Sequence, residues 1–243
     1  MIPLGHDFTD ATVLVFGGGS VGARKARRFA REAEVIVVSP AFTDAFEEVA
    51  VEVEVKTGNG STDRSGTVSR IRAAPDPDEV GDWLERTTPT LVVAATDDET
   101  LNDAIGEAAR ERGALVNRAD RSGTGDGDPG RVVVPATVRE DPVVVAVATG
   151  GTAPAVSKYL REELEETLAG AGEMATLCGE LRTELRSRGV SPERRREVVT
   201  DVTRSPEVWT TLRSGDSNRQ QVIEDVLGEQ LDDTGTGMGG DRE

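Results

Sequence analysis

The sequence predicts an α/β fold: a doubly wound parallel sheet first, then a small β region, then a helical C-terminal segment. Three observations carry this. A short β-branched and aromatic run, Thr12-Val13-Leu14-Val15-Phe16, leads straight into the glycine-rich turn Gly17-Gly18-Gly19-Ser20-Val21-Gly22. Apolar strand-like runs then alternate with helix-like segments as far as Asn117, the order that builds a parallel sheet. From Thr152 onward the apolar residues recur at helical spacing only.

The first strand, turn and helix belong together. Gly17, Gly19 and Gly22 fall in the G-x-G-x-x-G spacing, and residues 23–33 carry Ala26, Phe29, Ala30 and Ala33 at helical spacing with no Gly or Pro. Gly17 can make the tight turn, Gly19 lets the backbone approach a pyrophosphate, and Gly22 lets the helix pack close to the strand. The unpaired N–H groups opening the helix favour an anion there. This is the opening of a Rossmann-type dinucleotide site; without a ligand it would be only a glycine-rich loop.

The remaining elements follow in order. Val35-Ile36-Val37-Val38 is the second strand, and Ser39-Pro40-Ala41-Phe42 follows it. An Asp or Glu at that point commonly holds the adenosine ribose, and an Arg a 2′-phosphate. Neither residue type stands there, so the sequence leaves NAD or NADP open and leans to NAD. Residues 44–50 read as a short helix, 51–55 as a third strand and 56–70 as a Gly/Ser/Thr-rich loop or insertion. Asp76-Pro77-Asp78-Glu79 opens a helix containing Trp83 and Leu84. Leu91-Val92-Val93-Ala94-Ala95 reads as a central strand buried on both faces, with Thr96 and Asp97 at its ligand-binding carboxyl end. Leu101, Ile105 and Ala108 mark the next helix, and residues 114–117 a fifth strand.

The pattern then changes. Residues 122–130 are a Gly/Asp-rich loop, while residues 131–137 and 142–149 read as a hairpin with Arg139-Glu140-Asp141 between its strands. Val143 to Val147 is apolar on both faces, so the ribbon needs something to pack on, such as a partner subunit. Pro154 lies in the first turn of the helix that follows, with Leu160, Leu164 and Leu168 at four-residue spacing. Met174, Leu177, Leu181 and Leu185 continue as an apolar stripe. Ser191-Pro192-Glu193 and Ser205-Pro206-Glu207 are two more helix starts, and Val222, Ile223, Val226 and Leu227 form a last stripe. Residues 232–243 read as a disordered tail.

Composition narrows the function classes. The chain has 243 residues and a net charge of −17, and Lys25, Lys56 and Lys158 are its three lysines. Such an acid-rich, lysine-poor surface suits a halophilic, archaeal cytoplasm and makes nucleic acid a poor partner. The single cysteine, Cys178, allows no intramolecular disulfide, and no His/Cys cluster has zinc spacing. No signal peptide or membrane-length apolar run is present, so a cytoplasmic location is expected.

Four motifs in order sharpen the reading: the glycine turn with Ala23-Arg24-Lys25-Ala26, then Ala94-Ala95-Thr96-Asp97-Asp98, Asn117-Arg118-Ala119-Asp120 and Thr149-Gly150-Gly151-Thr152-Ala153-Pro154. Together, across residues 10 to about 165, they resemble the precorrin-2 dehydrogenase family, the N-terminal module of siroheme synthase. The resemblance implies oxidation of precorrin-2 to sirohydrochlorin with NAD as hydride acceptor. It also implies a homodimer with an NAD-binding domain (residues 1–120), a β dimerisation region (121–151), a helical domain (152–231) and an active site in the cleft between them. Asp120 falls on the family's catalytic aspartate. Ser20 and Val21, and Ala41 and Phe42 after the second strand, fall on its cofactor contacts. Some members also insert Fe2+ or Co2+ into sirohydrochlorin, and the resemblance leaves that activity open. Ala153 stands where some relatives have serine.

The polycarboxylate substrate that this family handles calls for basic groups. Arg118 and Arg121 flank Asp120, and Arg131, Lys158 and Arg161 are further candidates, with Gly150, Gly151 and Thr152 from the last motif. The plainer reading of each is a solvated or salt-bridged surface residue, equally good for Arg131 and Arg161, and Asp120 by itself reads as a turn-forming aspartate at a strand end. Two other functions stay open: a non-enzymatic NAD(H) sensor, and a chelatase with no need of nicotinamide.

Overall fold

A computed structural model describes residues 3–47, 67–121, 130–214 and 219–235. Five parallel strands form its N-terminal sheet: β1 (Thr12–Phe16), β2 (Glu34–Ser39), β3 (Val68–Arg72), β4 (Leu91–Ala94) and β5 (Leu115–Arg118). They lie in the order β3-β2-β1-β4-β5. The strand order reverses at β1, so the carboxyl ends of β1 and β4 border a crevice where such sheets bind ligands.

β1 is central because it is apolar on both faces. Val13 and Val15 pack with Ala23 and Ala26 of α1 (Ser20–Phe29) and with Phe46 from the 3₁₀ turn Asp44–Phe46. Leu14 and Phe16 point the other way, onto Leu84 of α2 (Val80–Thr87) and Ile105 of α3 (Glu99–Glu111). The start at Asp76 has a full capping box with Glu79, and a 3₁₀ turn (Pro77–Glu79) precedes α2.

Two sequence readings need correction in this part of the chain, and others fall outside the described residues. The third strand that the structure describes is Val68–Arg72, which begins within the stretch 56–70 read as a loop and runs two residues past it. It is an exposed edge strand whose Ser69, Arg70 and Arg72 look like loop composition; only its register on β2, Val35↔Val68 to Ser39↔Arg72, makes it a strand. The expected strand at 51–55, most of the insertion and residues 48–50 of the short helix lie outside the described residues. The Gly/Asp-rich loop lies outside them too, over residues 122–129. Arg131 does not begin the hairpin: it forms a parallel bridge with Val116, so the chain extends the main sheet before leaving it.

The hairpin itself is β6 (Ala136–Glu140) with β7 (Val143–Val147), paired Glu140↔Val143 around Asp141 and Pro142. Arg139 and Glu140 are thus ladder residues, because the turn is two residues tight. Five helices follow: α4 (Pro154–Thr167), α5 (Ala171–Ser187), α6 (Pro192–Arg204), α7 (Pro206–Arg213) and α8 (Arg219–Gly235). Residues 232–235, expected in a disordered tail, close α8; residues 236–243 lie outside the described residues.

The chain divides into two compact units. One is Met1–Val134 with Gly150–Ala153, the other Pro135–Thr149 with Pro154–Glu243. In the second unit, Met174, Leu177, Leu181 and Leu185 of α5 form the core with Val198, Val202, Leu212 and Ile223. Ser191 and Ser205 cap α6 and α7 with their hydroxyls. α4 and α5 both pack on the hairpin, yet no residue of α4 is buried. Among the described residues no helix is long and apolar enough to cross a membrane.

Candidate active site

The loops at the carboxyl edge of the sheet hold most of the residues singled out in the sequence. The glycine turn comes first. Gly17 has φ +122°, and its amide donates to the Val38 carbonyl at 3.0 Å, which ties the turn to β2. A Cβ on Gly18 would overlap the Ala41 carbonyl oxygen and sit 2.7 Å from Ser39 Oγ. Gly18 is therefore required by the protein's own backbone, although it occupies a free position of the G-x-G-x-x-G pattern. Thr43 completes the junction by donating its amide to the Gly18 carbonyl at 3.0 Å. Gly18→Ala is expected to lower NAD affinity at least tenfold and to destabilise the N-terminal unit by about 1–3 kcal/mol, the usual cost of overpacking. Calorimetric titration and thermal melts would check this; unchanged NAD binding would show that the turn tolerates displacement.

Gly19 behaves differently. A Cβ there would meet nothing within 4 Å, so open space lies above the first turn of α1. Gly19 is the helix cap, offers no side-chain hydrogen bond, and no acidic residue stands in the first turn. By contrast α3 is closed by Asp98, which accepts from the amides of Thr100 at 2.8 Å and Leu101 at 3.1 Å. The start of α1, with Ser20 and Val21, thus presents backbone donors to an anion, as a pyrophosphate needs. These residues fit a dinucleotide.

Around the turn, Ser39 is buried at the end of β2, Pro40 and Ala41 are exposed, and Phe42 stacks edge-on against Phe46 at 5.2 Å. β3 brings two arginines here that the sequence did not signal: Arg72 pairs in register with Ser39, and the Arg70 guanidinium lies over Phe42 at 6.0 Å. On the β4 side, Thr96 is partly committed to structure. Its hydroxyl donates to Asn102 Oδ1 at 2.8 Å, and its carbonyl accepts from Asn102 Nδ2 at 2.9 Å. Asp97 is exposed. Asn102, a buried polar residue of α3, carried no signal in the sequence beyond its helical register.

At the end of β5 the charges are tightly organised. Arg118 is buried, its side chain 7% exposed. Its Nε and Nη2 donate to the two carboxylate oxygens of Asp120 at 2.9 and 2.6 Å, and its Nη1 donates to Asp103 Oδ1 at 2.6 Å. This bidentate clamp fixes the Asp120 carboxylate and holds its carboxyl below the usual range, the Arg118 hydrogen bond outweighing burial. The same two carboxylates raise Arg118 further. Arg118 was expected to face the substrate; here its guanidinium is committed to Asp120 and Asp103. Asp103 was missed because only α3 and β5 packing side by side brings it within reach.

Arg121 is half exposed, bridges to Asp103 at 2.9 Å, and accepts at its carbonyl a hydrogen bond from Arg131 Nη2 at 3.1 Å. Asn117, also at this edge, donates Nδ2 to the Val132 carbonyl at 2.9 Å, while its buried Oδ1 has no hydrogen-bond partner. Gly150, Gly151 and Thr152 group with this N-terminal unit, both glycines with positive φ. Lys158 and Arg161 belong to the second unit, where Lys158 pairs with Glu162 at 3.8 Å and Arg161 with Glu165. A cavity of about 490 Å³ in that unit, lined by Val202, Val208 and Val226 with Asp201 and Glu207, contains none of the candidate site residues. Among the described residues no three His, Cys, Asp or Glu come together to hold a metal ion.

Residues 4–136, which carry this edge, match a family model described as Putative NAD(P)-binding. A precorrin-2 dehydrogenase from Methanosarcina barkeri (strain Fusaro / DSM 804) is 31% identical, covering 86% of this chain and 85% of that protein. The chain belongs to the precorrin-2 dehydrogenase family. A siroheme synthase from Pseudomonas fluorescens (strain SBW25) is 30% identical over 93% of this chain, but the match spans only 44% of the synthase. Against such synthases, this precorrin-2 dehydrogenase family member thus spans less than half the relative's length. The solved structure of SirC, precorrin-2 dehydrogenase, shares the fold, with a TM-score of 0.64 and 21% identity over 93% of this chain and all of that one.

Proposed function

We propose that the chain oxidises precorrin-2 to sirohydrochlorin with NAD as the cofactor. The observation that carries this is one carboxylate, Asp120, clamped by a buried arginine at the ligand edge of a dinucleotide-type sheet. NAD would supply the hydride acceptor when bound; Gly17, Gly19, Ser20 and Val21 would hold its pyrophosphate, and Ser39, Pro40, Ala41 and Phe42 its adenosine end. Thr96 and Asp97 line the opposite side of the crevice.

Asp120 is the catalytic residue of this proposal. Hydride loss leaves positive charge on the macrocycle, and an ionised carboxylate fixed beside the ring stabilises it. Because Arg118 keeps the carboxyl low, Asp120 stays ionised at neutral pH and is a weak proton acceptor. Its work is therefore electrostatic and orienting, and the released proton passes to water. Arg121 and Arg131, with the turn Gly150-Gly151-Thr152 of the same unit, are the proposed contacts for substrate carboxylates; Arg118 contributes by holding Asp120.

Under anaerobic conditions, the full chain is expected to convert precorrin-2 to sirohydrochlorin with NAD and not without it. Conversion that ignores NAD, or NAD binding with no spectral change on adding the macrocycle, would overturn the reading, the second in favour of a nucleotide sensor. Supplying sirohydrochlorin with Fe2+ or Co2+ in the same assay reads chelation directly.

The chain is also proposed to act as a homodimer through its second unit, in the cytoplasm of a halophile. Val144 of β7 and Val156, Tyr159 and Leu160 of α4 are exposed large hydrophobics, 39–59% accessible. Exposed apolar side chains of this size call for cover. Light scattering is expected to give twice the chain mass of 25.8 kDa, and Val144→Glu with Tyr159→Glu to give the single mass. A wild-type monomer at micromolar concentration would remove this proposal.

A further inference from the structure

The end of β2 differs from an NAD-selective site in what it lacks and in what its neighbour brings. No carboxylate stands at residues 39–43; at the end of β2, where such folds commonly hold the adenosine ribose with an acid, this chain has the hydroxyl of Ser39. Ser39 Oγ lies under the glycine turn, 2.7 Å from where a Gly18 Cβ would stand. β3 runs beside it with Arg72 directly opposite Ser39 and Arg70 opposite Val37, and the Ala73 amide donates to the Ser39 carbonyl at 3.2 Å.

Alternate residues of a strand share a face, so Arg70 and Arg72 project to the same side of the sheet. Arg70 shows which side: its guanidinium lies over Phe42, and Phe42 packs in the cluster beneath α1. Arg72, one pleat nearer the carboxyl end, therefore stands on the α1 side next to Ser39. Both arginines are exposed, and among the described residues neither forms an ion pair.

We propose that Ser39, Arg70 and Arg72 form a subsite for the 2′-phosphate of NADP, so that the chain takes NADP as well as NAD. This rests on the dinucleotide site described above and adds a specificity that the sequence concealed. A hydroxyl neighbour spares the phosphate the repulsion a carboxylate would impose, and two guanidinium groups match its charge and geometry.

The test is a titration of the full chain with NAD and NADP, together with AMP and adenosine 2′,5′-bisphosphate as probes lacking the nicotinamide. NADP is expected to bind within tenfold of NAD or more tightly, and the 2′-phosphate phosphorus resonance to shift on binding. In the double variant Arg70→Ser with Arg72→Ser, NADP affinity is expected to fall about tenfold or more while NAD affinity changes less than twofold. Retained NAD binding serves as the folding control for that variant. NADP binding more than tenfold weaker than NAD in the wild type, or equal loss of both dinucleotides in the arginine variant, would overturn the subsite alone. Failure of both dinucleotides to bind the wild type would overturn the cofactor site itself.

Discussion

Asp120→Ala is expected to lower kcat for precorrin-2 oxidation by at least ~100-fold, in the range of a lost charge-stabilising group in an active site, with the Kd for NAD within twofold. The separation of the two effects follows from position. The glycine turn ends β1 and Ser39 ends β2, with β4 between them and β5, which Asp120 follows, so the residues proposed for the pyrophosphate and adenosine stand on other strands from this carboxylate. Asp120→Asn sharpens the test. It keeps the volume but loses the negative charge, and one of its two terminal atoms can no longer accept from Arg118. If charge is what matters, the asparagine variant falls nearly as far as alanine. Near-normal turnover in Asp120→Asn would reduce the residue to a spacer, and full turnover in Asp120→Ala would take it out of the mechanism.

Arg118→Met should have the second-largest effect, and on two measurements. The guanidinium is buried between Asp120 and Asp103, and its loss leaves the Asp120 carboxylate without its bidentate partner and Asp103 with Arg121 alone. Breaking a buried pair costs about 3–5 kcal/mol; Asp103 is half exposed, so about 2–3 kcal/mol is expected here. Both carboxyls are held low in the folded chain, chiefly by Arg118. A depressed carboxyl contributes stability above its unfolded pKa of about 4 and loses it as pH falls through the folded value. The stability gap between wild type and Arg118→Met should therefore be full at pH 7 and close below about pH 4. Without the clamp, Asp120 titrates higher, so any acid limb of kcat/KM moves up in pH. Urea titrations across pH and a pH–rate profile would measure these. A gap independent of pH would mean that Arg118 acts by packing alone.

Much of the N-terminal unit was legible because its signals are local. Thr12–Phe16 is a strand in sequence and in structure, since an apolar β-branched run ending in glycines has few alternatives. The run at Leu91–Ala94 and the helix stripe at Met174, Leu177, Leu181 and Leu185 were equally plain, because a buried face imposes its own period. The edge strand Val68–Arg72 was not legible: most of it stays in water, so no apolar period marks it. Leu160 of α4 matched a helical stripe and is nevertheless exposed, since spacing reports a face and not what covers it.

By itself, then, the sequence determined the order of elements and the glycine turn, which depend on neighbours a few residues away; the candidate aspartate came from the resemblance that four motifs carry together. Tertiary structure alone decided which charges meet. It set Arg72 beside Ser39 across a strand pairing, and Asp103 beside Arg118 across a helix and a strand. It also made Gly18 obligatory through the carbonyl of Ala41. Those contacts join residues 15 to 33 positions apart or link separate loops, and nothing in local spacing encodes them; the close packing of the sheet and its helices does.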